Sequence, residues 1–138
     1  TDPTDDLVTW IPWDFNMALT DKAANGQEGP QGRGVRELDL ESVSDQWPLI
    51  RYLADDPVYR AKYDQYLQET ISGVFQPANL AELYQNYHDL IAPSVEKETS
   101  DATQIKSLES FDQGLEELIW HAQTRFDEVT AYLTEKGG

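Results

Sequence analysis

From Leu108 onward apolar residues recur at steps of three and four: Leu108, Phe111, Leu115, Leu118, Ile119, Ala122, Phe126, Val129 and Leu133. That period gathers them on one stripe of an α-helix and leaves the opposite side polar. A helix of this kind has little stability alone and must bury its stripe against other elements. The preceding sequence supplies partners of the same type. Trp47, Ile50, Leu53 and Ala54 suit a short helix, with Pro48 tolerable in its first turn. Asp55-Asp56-Pro57 places an N-cap acid before proline at the first helical position. The helix it opens carries Tyr59, Tyr63, Tyr66, Leu67, Ile71, Val74 and Phe75 on its apolar face. Gln76-Pro77 ends that helix and starts a third, striped by Leu80, Leu83, Tyr84, Tyr87, Ile91 and Val95. Pro93 is expected to kink or break the third helix. Glu96 to Thr103 is polar and reads as a connection, and Gly137-Gly138 ends the last helix.

The first third of the chain follows a different pattern. Residues 1–6 are polar and turn-like. Leu7-Val8-Thr9-Trp10-Ile11-Pro12-Trp13 is β-branched and aromatic and reads as a short strand. Pro12 cannot donate to a sheet ladder, so the strand ends there or lies at an edge. No second strand pattern follows, so its pairing partner is expected upstream of Thr1. Residues 20–46 show no apolar period, and 25–34 hold four of the eight glycines. A structureless loop of this length is functional or mobile more often than not. Val35, Leu38 and Leu40 are the residues expected to pin its second half to the helices.

Composition narrows the function classes. The net charge is −16 over 138 residues, which repels phosphate backbones and argues against nucleic acid as a partner. There is no cysteine, so disulfides, thiolate metal sites and cysteine nucleophiles are excluded. No apolar run is long enough to span a membrane, and no signal-peptide pattern is visible. His88 and His121 lie far apart on separate helices with no histidine at i+4, which reads as structural rather than zinc-binding. Tyr59, Tyr63, Tyr66, Tyr84 and Tyr87 fall at helical spacing and read as an aromatic core face, with a stacking surface for a sugar or peptide as the alternative. Glu116-Glu117 and Asp127-Glu128 read as solvated helix faces.

The residues most suited to chemistry are in Trp10-Ile11-Pro12-Trp13-Asp14-Phe15-Asn16. A hydrophobic strand delivers one acid, Asp14, and Asn16 adds a second side-chain oxygen nearby. Mg²⁺ is a hard cation that takes such oxygens and fills its remaining positions with water and substrate phosphates. The same residue types also serve a turn in which Asp14 bonds its own backbone.

This segment resembles the IPWD signature of the spore-coat protein H (CotH) kinase-like family. Further pieces in the same order are similar to that family: Pro48-Leu49-Ile50-Arg51-Tyr52-Leu53, Asp56-Pro57-Val58-Tyr59-Arg60-Ala61-Lys62-Tyr63, Phe75-Gln76-Pro77-Ala78-Asn79-Leu80 and Leu90-Ile91-Ala92-Pro93-Ser94-Val95. The resemblance runs along nearly the whole chain. It implies an atypical protein kinase, secreted or spore-associated, that uses ATP with Mg²⁺ or Mn²⁺ to phosphorylate Ser-rich proteins. It assigns the metal ligand to Asp14, the counterpart of the metal-binding acid in ordinary kinases, with Asn16 as a possible second ligand at a position where the family varies.

The resemblance also implies what this stretch lacks. The phosphate-covering loop, the phosphate-pairing lysine and the catalytic residues lie upstream of the IPWD segment in the family. The glycine-rich stretch 26–34 has no G-x-x-x-x-G-K-[ST] pattern and corresponds in position to an activation segment; a plain surface loop is the alternative.

The expected fold is therefore mainly α: a short N-terminal strand, a long loop and about four helices resembling a kinase C-lobe. The chain reads as one domain or the C-terminal part of one, with strand and acid motif in 1–19, loop in 20–46 and helical bundle in 47–138. Expected partners are the missing N-terminal lobe, a Ser-rich protein substrate, and a second copy through an exposed strand or helix face. The isolated chain is expected to be inactive and to bind ATP poorly, with no cofactor of its own. The alternative is a structural or binding module on the same scaffold, serving coat assembly, adhesion or association with extracellular polymer.

Overall fold

Four helices carry the architecture: α1 (Pro48–Asp55), α2 (Pro57–Ser72), α3 (Pro77–Val95) and α4 (Leu108–Lys136), preceded by a 3-10 turn at Leu40–Ser42. They are seen in a computed structural model that describes residues 19, 38, 40–98, 105 and 107–137. The strand expected at 7–13, the acid motif and the glycine-rich stretch lie outside the described residues. Among the described residues there is no strand. No described helix is long and apolar enough to cross a membrane.

The helix starts follow local chemistry. Asp56 caps α2 by accepting from the Val58 and Tyr59 amides at 2.8 and 3.3 Å, with Pro57 at the first helical position. Pro77 repeats the proline device in α3. At α4 the Ser107 hydroxyl accepts from the Ser110 amide at 3.0 Å, and the Ser110 hydroxyl accepts from the Ser107 amide at 3.1 Å. This reciprocal box satisfies two end amides with serine in the place usually held by Glu or Gln.

Two helix ends differ from the sequence expectation. α2 stops at Ser72, with Gly73 at its C-cap, so Val74 and Phe75 lie beyond it. Glycine has a low helix propensity, and the chain turns there with the Phe75 amide bonding the Thr70 carbonyl at 2.9 Å. Pro93 does not break α3, which continues to Val95. So close to the end, proline removes one backbone bond and the helix stops within the next turn.

α4 is the central element, packed against α3 along one side and against α2 along another, while α1 rests on α2. The recurring stripe of α4 is the inner face from Phe111 onward, with Ala122 and Val129 buried and Phe111, Leu115, Leu118, Ile119, Phe126 and Leu133 half-buried, whereas Leu108 in the first turn is exposed. Its outward Glu116, Glu117, Asp127 and Glu128 are exposed. The buried hydrophobic residues among those described are Ala54, Ile71, Val95, Ala122 and Val129, joined by His121.

Much apolar surface stays outside. Leu49 and Tyr52 on α1 are 68 % and 71 % exposed, and Trp47, Ile50 and Leu53 beside them are also exposed. The tyrosine stripe is only partly internal. Tyr63 and Tyr84 are half-buried, whereas Tyr59, Tyr66 and Tyr87 face solvent. An aromatic ring at helical spacing covers the shoulder of a packed face as readily as its centre, because its polar tip tolerates water.

Candidate functional site

Asp14 and Asn16, the residues singled out as metal ligands, lie outside the described residues. The structure does show how the chain on both sides of the glycine-rich stretch meets the helices. There are two contact regions, one at 38–43 and one at Leu19.

The first region is held by a polar clamp. Arg51 projects from α1 with its side chain only 16 % exposed. Its Nη1 donates to the Leu40 carbonyl at 2.7 Å and the Val43 carbonyl at 3.1 Å, with the Glu41 carbonyl at 3.4 Å. Its Nη2 donates to Asp55 Oδ1 at 2.6 Å, one turn along the same helix. A planar guanidinium can serve several acceptors at once without a rotamer change, which suits it to tying a turn onto a helix. Arg60 adds two bonds, from Nε to the Ala54 carbonyl at 3.0 Å and from Nη1 to Glu41 Oε1 at 3.1 Å. The Tyr63 hydroxyl donates to the Leu38 carbonyl at 3.1 Å. Lys136, at the end of α4, approaches Glu41 at 3.6 Å and lies 5.7 Å from the centre of the Tyr132 ring. Tyr132 in turn donates to Asp64 at 2.9 Å and meets Tyr63 edge-on with ring centres 6.3 Å apart.

Val35, Leu38 and Leu40 were expected to anchor this half of the loop; Val35 lies outside the described residues, and the other two can be placed. They do so through their backbone carbonyls, which accept from Tyr63 and Arg51. Sequence reasoning missed Arg51, Arg60 and Lys136 as the donors. The available signal was a lone arginine inside the apolar run Pro48–Leu53, where a cation needs several acceptors.

The second region is an apolar groove of about 680 Å³ between α3 and α4. Tyr84, Tyr87 and Ile91 line it from α3, and Phe111, Gly114, Leu115 and Leu118 from α4. Leu19 and Ile105 also line it. Gly114 leaves its floor open, since a Cβ there would meet nothing within 4 Å. His88 stands at the rim and stacks on Phe111, with ring centres 4.2 Å apart and planes 14° from parallel. Its Nε2 lies 3.1 Å from Asp112 Oδ1 and its Nδ1 3.4 Å from Asp89 Oδ1. His88 thus joins α3 to α4, and its 33-residue distance from His121 reflects two separate structural positions. Burial of Tyr84 raises its phenol above the usual tyrosine range, because the phenolate would lose water.

Among the described residues, no three His, Asp or Glu side chains gather closely enough to hold a metal ion. What the described structure offers is a mount. A helical body fixes the chain after the glycine-rich stretch through Arg51 and contacts the chain before it at Leu19.

The family model described as CotH kinase protein matches residues 1–129. No curated protein matches the chain, and no solved structure matches it.

Proposed function

The chain belongs to the CotH kinase family, and on that premise we propose that it forms the C-terminal, helical part of an atypical protein kinase whose metal acid is Asp14. The observation that carries this reading is the match over residues 1–129, which takes in the Trp13-Asp14-Phe15-Asn16 segment and the helical body together. The donor chemistry supports it. A carboxylate at 14 and an amide oxygen at 16 are hard ligands of the kind Mg²⁺ and Mn²⁺ accept. Bound there with ATP, the ion would neutralise charge on the phosphates during transfer. Asp14 would hold it, with Asn16 as a weaker second ligand.

The phosphate-pairing lysine and the catalytic acid of such an enzyme would come from sequence preceding this chain, in an N-terminal lobe that partners it. The acceptor would be a serine or threonine of a Ser-rich protein. A secreted or spore-associated setting is the location that fits the family. The helical body then has the task of positioning the segments on both sides of 20–37.

The test is phosphoryl transfer from γ-labelled ATP to a Ser-rich protein, catalysed by the chain together with the N-terminal lobe proposed for it. Asp14→Ala should abolish incorporation while the far-ultraviolet circular dichroism of the helices stays unchanged. Undiminished incorporation would exclude the metal role and leave a structural or binding scaffold for coat assembly, adhesion or extracellular polymer.

A further inference from the structure

Helix α1 turns one side to the molecule and the other to solvent. On the inner side Ala54 is buried and Arg51 is clamped against the 40–43 turn. At about 3.6 residues per turn, Leu49, Tyr52 and Leu53 fall on the opposite side, spaced i, i+3 and i+4. All three are exposed, and Trp47 and Ile50 beside them are exposed too. This inverts the usual arrangement, in which the solvent side of a surface helix is polar. The outward side of α4 keeps that arrangement with Glu116, Glu117, Asp127 and Glu128.

We propose that the outward face of α1, built on Leu49, Tyr52 and Leu53, is a self-association surface through which two copies of this chain pair about a two-fold axis.

Charge, area and shape select a second copy as the occupant. The whole chain carries −16, yet residues 45–62 set Asp45, Asp55 and Asp56 against Arg51, Arg60 and Lys62, a local balance of zero. Copies that meet at this stretch bring no like charge into direct contact, and the repulsion left between them acts at longer range, where salt screens it. The exposed apolar residues of α1 are followed by exposed Val58 and Tyr59 in the first turn of α2. Together they offer roughly several hundred Å² per copy, the order of the about 800 Å² that each partner gives to a stable interface. A stripe at i, i+3 and i+4 on one helix also packs against its own copy, and a two-fold interface uses the same patch twice. A small molecule fits less well, because the convex side of a helix encloses no cavity.

The experiment is sedimentation velocity on the 138-residue chain over a concentration series. The mass should rise with concentration from that of one chain toward twice that value. Raising salt from about 0.01 M to about 0.15 M shortens the screening length from ~30 to ~8 Å and should shift the equilibrium toward the pair. Leu49→Glu and Tyr52→Glu, at positions already in water, should each weaken pairing by about tenfold or more while the far-ultraviolet circular dichroism stays unchanged. Leu90→Glu is the control: it is as exposed, but on α3, and should leave pairing intact. A chain that stays single at every concentration and salt would overturn the proposal. Growth beyond two copies would do the same, as would pairing that survives Leu49→Glu or that Leu90→Glu weakens equally. The pairing does not rest on the kinase reading, so Asp14→Ala should leave it unchanged whatever it does to metal and nucleotide binding.

Discussion

The Arg51 guanidinium sits among the carbonyls of Leu40, Glu41 and Val43 and also reaches Asp55. Hydrogen bonds from a charged donor are worth about 1.5–3 kcal/mol each, and less where the acceptor is exposed; here the Leu40 and Val43 carbonyls are part-buried, while Glu41 and Asp55 are exposed. Lysine brings one ammonium in place of a fork and cannot reach the same set. Arg51→Lys should therefore destabilise the chain by about 2 kcal/mol in urea unfolding, and Arg51→Ala by somewhat more. Glu41 offers a contrast. Its carboxylate, 59 % exposed, meets Arg60 and Lys136 in water. Exposed pairs contribute little, so Glu41→Gln should cost under about 1 kcal/mol by the same measurement. At the head of α2, Asp56→Ala removes the acceptor of two end amides and should cost about 1 kcal/mol, with Asp56→Ser recovering most of it. Tyr84 supplies a pH-dependent prediction. Its phenol is raised by burial, so its neutral form is favoured in the folded chain. The associated stability is fully present below the ordinary tyrosine pKa and is lost as pH rises through the folded value. Ultraviolet titration at tyrosinate wavelengths should show a late-ionising component that Tyr84→Phe removes.

At the scale of the elements, α4 was legible from its period alone, because its partners line one side and solvent the other. The proline-led starts of α2 and α3 were equally readable, since Asp56-Pro57 and Gln76-Pro77 act through purely local geometry. Ends were harder. The apolar period of α2 runs on through Val74 and Phe75, yet Gly73 stops the helix first. Long-range polar contacts were not legible at all. Nothing in the spacing of Arg51 and Leu40, or of Tyr63 and Leu38, announces that they meet, because such pairs depend on the packed geometry of several helices. Gly114 is a weak point inside α4 that a side chain could occupy without a clash. Gly114→Ala should stabilise the helix by about 0.5–1 kcal/mol, read as a rise in thermal midpoint.

The whole molecule combines a thin core with extensive apolar surface. Among the described residues the most buried are the small Ala54 and Ala122, while the large Trp47, Leu49 and Tyr52 are exposed. A short helix that is apolar on its outward side is a surface suited to a neighbour. The family was readable from five short motifs in the right order, and the match over residues 1–129 bears that out. The chemistry assigned to Asp14 comes from the motif and from donor type, and its direct test is metal–nucleotide binding. Calorimetric titration with Mn²⁺–ATP of the chain together with the N-terminal lobe proposed for it, wild type against Asp14→Ala, measures it. At least a tenfold loss of affinity with the helices intact is the expected result; equal affinity in the two proteins would contradict a metal role for Asp14.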